Sequence, residues 1–223
     1  TISGLGAFAD RIPTDETNLA WKAAELVARA CGEEPNVHIQ IDKSIPIAAG
    51  MAGGSADAAA TLVACDTYWN AGIPRDQLDA MAATLGSDVP FMLHGGCALG
   101  VGRGDVLSPV MIRGSFHWVF ATFDEGLSTA QIYEKTDELR GLEFEAEPEV
   151  PTELLSALAR GDAPALGRLL HNDLQLAATT SRPQLGRVLE QGIDYGALGA
   201  IVSGSGPTCA FLVRDESSAI DLV

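Results

Sequence analysis

Two hydrophobic periods run along the chain and divide it into elements. From Asp15 to Ala30 the apolar residues Leu19, Ala23, Leu26, Val27 and Ala30 recur on one helical face, and Gly32 supplies a stop. Val37–Ile41 alternates with period two, the mark of a half-buried strand. Glycines 50, 53 and 54 then form a loop, and the alanine-rich stretch from Ser55 to Val63 has the highest helix propensity in the chain. A helix over Arg75–Leu85 follows Pro74 and ends at Gly86–Pro90, and short glycine-punctuated strands are expected from Gly95 to Val110.

The second half opens on an apolar strand, Phe116–Ala121. Ser128 and Gln131 have capping-box spacing and start a helix through Leu139. Leu142–Pro151 is acidic and broken by proline, which predicts an exposed loop. Helices are expected over Thr152–Ala159, Ala163–His171 and Pro183–Gln191, with Asn172-Asp173-Leu174 ending the second of them. Ile201-Val202, Ser203–Pro207 and Cys209–Val213 read as strand, tight turn, strand, and Glu216–Val223 as a helix barely begun. The character of the chain changes near Arg113, giving domains at 1–112 and 113–223. Thr1 is not Met and the last helix has hardly started, so both ends read as cut.

Composition narrows the functional classes. At 223 residues with 47% apolar and 20% charged residues, the chain is globular. A net charge of −16 repels phosphate backbones at long range and argues against nucleic-acid binding, so any phosphate needs a strong local device to hold it. Cys31, Cys65, Cys97 and Cys209 are too far apart for a zinc site and sit among apolar or small residues, as reduced cytoplasmic thiols do. His38, His94, His117 and His171 are equally scattered, so no metal site is expected. No apolar run is long enough to span a bilayer, and no membrane partner is expected. The chain holds neither a nucleophile elbow nor a dinucleotide loop: Ser203–Gly206 has the wrong spacing, and Gly100–Gly104 the wrong context.

The strand–glycine loop–helix unit at Val37–Val63 carries the chemistry. Glycines let successive N–H groups converge on one point, where the first turn of a helix adds its own unpaired donors and its dipole. That suits an anion, phosphate above all. It is neither a Walker A loop nor G-x-G-x-x-G, and a tight strand-to-helix connection accounts for the same composition.

The string itself goes further. Pro46-Ile47-Ala48-Ala49-Gly50-Met51-Ala52-Gly53-Gly54-Ser55-Ala56 resembles the phosphate loop of the GHMP small-molecule kinases. Asn18-Leu19-Ala20, Gly86-Ser87-Asp88-Val89-Pro90-Phe91 and Ile201–Phe211 resemble further segments of that family in the right order. The Gly-Ser-Asp-Val-Pro string points to the branch acting on 4-diphosphocytidyl-2-C-methylerythritol in the non-mevalonate route to isoprenoid precursors. A different alcohol, or a non-catalytic nucleotide-binding module, are the rival readings. The resemblance implies an α+β GHMP kinase fold with a ribosomal-protein-S5-like N-terminal domain and a ferredoxin-like C-terminal domain, both truncated. It also implies ATP as co-substrate with magnesium. An opening strand with a catalytic lysine, and a segment that holds cytidine, are missing from the family pattern. Asp88 should therefore be a weaker catalyst here.

By the same resemblance Asp88 is the catalytic residue, orienting the acceptor hydroxyl and taking its proton. By chemistry alone an aspartate before Val-Pro is as naturally a helix cap or turn former. The loop residues from Pro46 to Ala56, with Lys43 and Asn18, match positions of the ATP site. Lys43 could otherwise be an ordinary solvated charge. Thr129 and Tyr133 match substrate-pocket positions and share a helical face, which also suits plain packing. Ser55 is expected to cap the loop helix. For Asp57 the two readings are approach to magnesium and compensation of the helix dipole.

Overall fold

The computed structural model describes residues 1–141 and 151–223. The loop expected over Leu142–Pro151 lies outside the described residues except for Pro151. Two compact units form: residues 1–47 with 52–109, and residues 48–51 with 110–223.

In the first unit, β1 (Ile2–Leu5) pairs in parallel with β2 (Ile39–Asp42), from Ile2 opposite Ile39 to Leu5 opposite Asp42. The strand expected over Val37–Ile41 is thus shifted, and the four residues of β1 are too few to show a period. α1 (Leu19–Cys31) starts later than Asp15, because Asp15 Oδ1 accepts from the Thr17 backbone N–H at 2.9 Å and holds a turn there. Asn18 is the true cap, and Gly32 ends the helix in the left-handed region at φ 73°. α2 (Gly53–Tyr68) lies against α1, with α3 (Arg75–Leu85) and α4 (Val89–His94) behind it. Small residues set the close spacing: Ala23, Ala24, Ala58 and Ala59 share a core with Val27, Leu62, Leu78 and Val89. β3 (Ala98–Val101) and β4 (Val106–Pro109) form an antiparallel hairpin, in which Gly100 pairs with Leu107 and Gly102 and Gly104 serve the turn.

In the second unit, β5 (His117–Ala121), β6 (Gly199–Val202) and β7 (Cys209–Val213) make an antiparallel sheet in the order β5-β7-β6. The helices are α5 (Thr129–Arg140), α6 (Thr152–Arg160), α7 (Ala163–Leu169), α8 (Gln175–Ser181) and α9 (Gln184–Asp194). Ile132, Ala177, Ala178, Leu185 and Leu189 pack on Val202, Cys209 and Phe211 of the sheet. Ser128 Oγ accepts from the Gln131 N–H at 3.4 Å and opens α5 as the sequence expects. The helix expected to His171 stops at Leu169, and α8 is a further helix that the hydrophobic pattern does not announce. Asn172 does not end a helix: its Oδ1 accepts from the Leu174 N–H at 2.9 Å and begins the turn into α8. Asp215 caps α10 (Glu216–Leu222), accepting from the Ser218 N–H at 2.8 Å.

Candidate active site

The glycine loop has a repeating backbone pattern. Ala48, Gly50 and Ala52 all take positive φ, at 54°, 74° and 50°, whereas Ala49 and Met51 between them do not. Alternating left-handed and ordinary residues turn successive peptides the same way, forming a concave nest of N–H groups. The carbonyls agree. Ala48 O accepts from the Leu127 N–H at 3.3 Å, Ala49 O from the Thr208 N–H at 3.2 Å, and Gly50 O from the Ser203 hydroxyl at 2.8 Å. A trans peptide points its N–H opposite its C=O, so the amides of Ala49, Gly50 and Met51 face away from those partners. None of the backbone N–H groups from Ala49 to Gly54 donates to an acceptor among the described residues. Three of these donors belong to the nest, and Ala52, Gly53 and Gly54 continue the row into the first turn of α2.

That first turn corrects one expectation. The cap of α2 is Ala52, in the left-handed region with no side-chain bond, so Ser55 stands inside the helix and does not cap it. Helix begins two residues earlier than composition suggests, because Gly53 and Gly54 adopt it once Ala52 has turned the chain. A Cβ on Gly53 would lie 3.1 Å from Lys43 Nζ, so the lysine packs directly on this turn. Lys43 is only 6% exposed, and its ammonium donates to the Asp57 carboxylate. It is not a solvated charge. Asp57, beyond the first turn, faces Lys43 and not the helix end, which corrects the dipole reading.

The other singled-out residues have different surroundings. Asn18 is 9% exposed; it accepts from the Ala20 N–H at 2.9 Å and donates from Nδ2 to Pro13 O at 2.7 Å, so its amide is committed to starting α1. Asp88 occupies the cap position of α4 but makes no capping bond, so the helix-cap reading fails, while the Val89 N–H donates to Gly86 O at 3.2 Å and leaves Asp88 in a turn. Its carboxylate is exposed and accepts a long bond, 3.5 Å, from the Ser87 hydroxyl. Thr129 and Tyr133 lie one turn apart on α5; Tyr133 is 56% exposed, and the Thr129 and Ser205 hydroxyls are 3.0 Å apart. Beside Tyr133 a cleft of about 380 Å³ is lined by Asp137, Arg140, His171 and Asp173. The His171 hydrogen bond, reinforced by Arg140, holds the Asp173 carboxyl below its ordinary value.

Sequence reasoning placed Ser203 and Ser205 in a family-like segment without giving either a role, and it took Asn172 only for the end of a helix. The run Ser203-Gly204-Ser205-Gly206 is visible in the chain, but nothing local tells that a loop some 150 residues earlier docks on it. Asn172 Nδ2 donates to Val202 O at 2.7 Å and Gly204 O at 2.8 Å, pinning that turn. Among the described residues no group of three or more His, Cys, Asp or Glu side chains could hold a metal ion, and no helix is long and apolar enough to cross a membrane.

Comparison with known proteins gives the following relationships. The pattern of the GHMP kinases N terminal domain matches residues 18–96, and that of the GHMP kinases C terminal matches residues 154–223. A 4-diphosphocytidyl-2-C-methyl-D-erythritol kinase of Mycolicibacterium gilvum is 54% identical over 225 residues, covering 100% of this chain and 70% of that protein. Its namesake in Mycobacterium tuberculosis is 55% identical over 218 residues, covering 98% and 69%. A crystal structure of 4-(cytidine 5'-diphospho)-2C-methyl-D-erythritol kinase superposes with TM-score 0.77 at 30% identity, covering 100% of this chain and 76% of that one. Homoserine kinase from Cytophaga hutchinsonii superposes with TM-score 0.78 at 18% identity, over 99% and 74%, a likeness of fold alone.

Proposed function

The chain belongs to the GHMP kinases and, within them, to the family of 4-diphosphocytidyl-2-C-methyl-D-erythritol kinases, and from that premise we propose that it transfers the γ-phosphoryl group of ATP to the 2-hydroxyl of 4-diphosphocytidyl-2-C-methyl-D-erythritol. The observation that carries this reading is the alternation of backbone conformation at Ala48, Gly50 and Ala52, which builds a row of unpaired N–H donors leading into a helix N-terminus. Such a row binds phosphate oxygens without any net positive charge, as a chain of −16 requires.

Phosphoryl transfer asks the protein mainly for positioning and for electrostatic stabilisation. Pro46–Ala56 holds the phosphates. Asp88, exposed and free of a capping bond, orients the acceptor hydroxyl and takes its proton. Thr129 and Tyr133 contribute to the acceptor face. Lys43 and Asn18 serve the nucleotide through the elements they fix, the first turn of α2 and the start of α1. Magnesium keeps much of its water and binds chiefly through substrate phosphates, so it needs no protein cage; Asp57, engaged by Lys43, is not its ligand in this reading. When bound it neutralises charge on the transferring phosphates. The four unpaired cysteines suit the reducing cytosol in which we place the enzyme.

The test is Asp88→Asn. Turnover of ATP with 4-diphosphocytidyl-2-C-methyl-D-erythritol should fall by about 100-fold or more, the scale of general-base loss, with calorimetric MgATP affinity unchanged. Homoserine and mevalonate should not serve as acceptors; preferential turnover of either would reassign the substrate.

A further inference from the structure

We propose that Ser205 is a positioning residue for the acceptor: its hydroxyl gives its proton to Thr129 Oγ1, which leaves the Thr129 hydroxyl as a fixed donor to an oxygen of the substrate. This rests on the reading of Thr129 and Tyr133 as the acceptor face.

The two hydroxyls lie 3.0 Å apart, and by distance alone either could donate. Their surroundings decide the direction. Ser205 is 7% exposed, and its hydroxyl meets Thr129 and no other group among the described residues. If Thr129 donated, the Ser205 proton would be buried without an acceptor and would carry the full cost of desolvation. If Ser205 donates, the proton left over belongs to Thr129, which is exposed and can give it to water or to a ligand. The bond between them therefore runs from Ser205 to Thr129.

Thr129 has no competing use for its own proton. Threonines inside helices commit theirs to the carbonyl four residues back: Thr61 donates to Asp57 O at 2.8 Å, Thr136 to Ile132 O at 2.8 Å and Thr179 to Gln175 O at 2.9 Å. Thr129 is the first residue of α5, so the carbonyl four back, that of Glu125, lies outside the helix. That carbonyl accepts instead from Arg182 Nη1 at 2.8 Å. A threonine so placed divides its hydroxyl between rotamers, and the bond from Ser205 selects one. A donor fixed in this way meets a substrate oxygen without first being ordered, and that saving appears as affinity.

Steady-state kinetics on wild type, Ser205→Ala, Thr129→Val and the double variant test this. Thr129→Val should raise KM for 4-diphosphocytidyl-2-C-methyl-D-erythritol by about three- to tenfold, the worth of one hydrogen bond. Ser205→Ala should raise it over the same range while KM for ATP stays within about twofold. In the Thr129→Val background Ser205→Ala should add nothing, because the hydroxyl it positions is gone. A normal acceptor KM in Ser205→Ala, with Thr129→Val impaired, overturns the proposal and leaves Thr129 on the acceptor face. Independent effects that multiply in the double variant, an equal rise in KM for ATP, or a loss of cooperative melting in Ser205→Ala mark Ser205 as merely structural and overturn it as well. A normal acceptor KM in Thr129→Val overturns the reading of the acceptor face itself, and the proposal with it.

Discussion

A lysine as buried as Lys43 persists only if its charge is met, and Asp57 meets it. The pair also packs beneath Gly53, so its integrity reaches the first turn of the phosphate helix. Removing one partner leaves the other uncompensated. Lys43→Met should therefore cost about 2–3 kcal/mol in urea denaturation, with Lys43→Met/Asp57→Leu recovering most of it. Cys209 shows burial acting on an acid. It is fully buried in the sheet core, and desolvation of the thiolate pushes its thiol up to about 11 from an ordinary 9.0. The folded state holds the proton more tightly than the unfolded state, so the contribution is constant below pH 9.0 and is lost as pH rises through about 11. Urea midpoints should fall over that window in the wild type and fall less in Cys209→Ala.

At the scale of elements, the loop trades backbone strain for donors. Two of its three positive-φ residues are alanines, each held where a Cβ is disfavoured. Ala52→Gly should raise stability by about 1 kcal/mol by removing that strain. Gly50 and Gly54 should respond in opposite directions to the same substitution. A Cβ on Gly50 collides with Ser203 O and Gly206, so Gly50→Ala should abolish MgATP binding and lower the melting midpoint. A Cβ on Gly54 meets nothing within 4 Å, and Gly54→Ala should raise stability by up to about 1 kcal/mol through helix propensity. Calorimetric melts of the three variants check all of this.

For the whole molecule the governing quantity is charge. With −16 on the chain, a nucleotide approaches against the mean field and is held only by local donors. Salt screens that repulsion, so the association rate of MgATP should rise between about 20 and 200 mM salt, as the Debye length shrinks. Stopped-flow fluorescence would measure it; a rate that falls with salt would point to a locally positive approach. Much of this protein is legible in the order of its residues. The amphipathic period of α1, the propensity of α2, the unbroken apolar run of β7 and the order of four motifs depend on neighbouring residues alone, and they determine the α+β class and the kinase family. Tertiary contacts decided the rest. Strand β1 exists because β2 pairs with it, α8 because Asn172 opens a turn and Ala177 and Ala178 find a core, and Lys43 has its partner because the chain just after β2 meets Asp57 of α2. The nest was decided the same way: sequence supplied residues able to turn, but the direction of each peptide was set by Leu127, Ser203 and Thr208, far along the chain. Local propensity determines which conformations a residue can take, and hydrogen bonds between distant segments select among them.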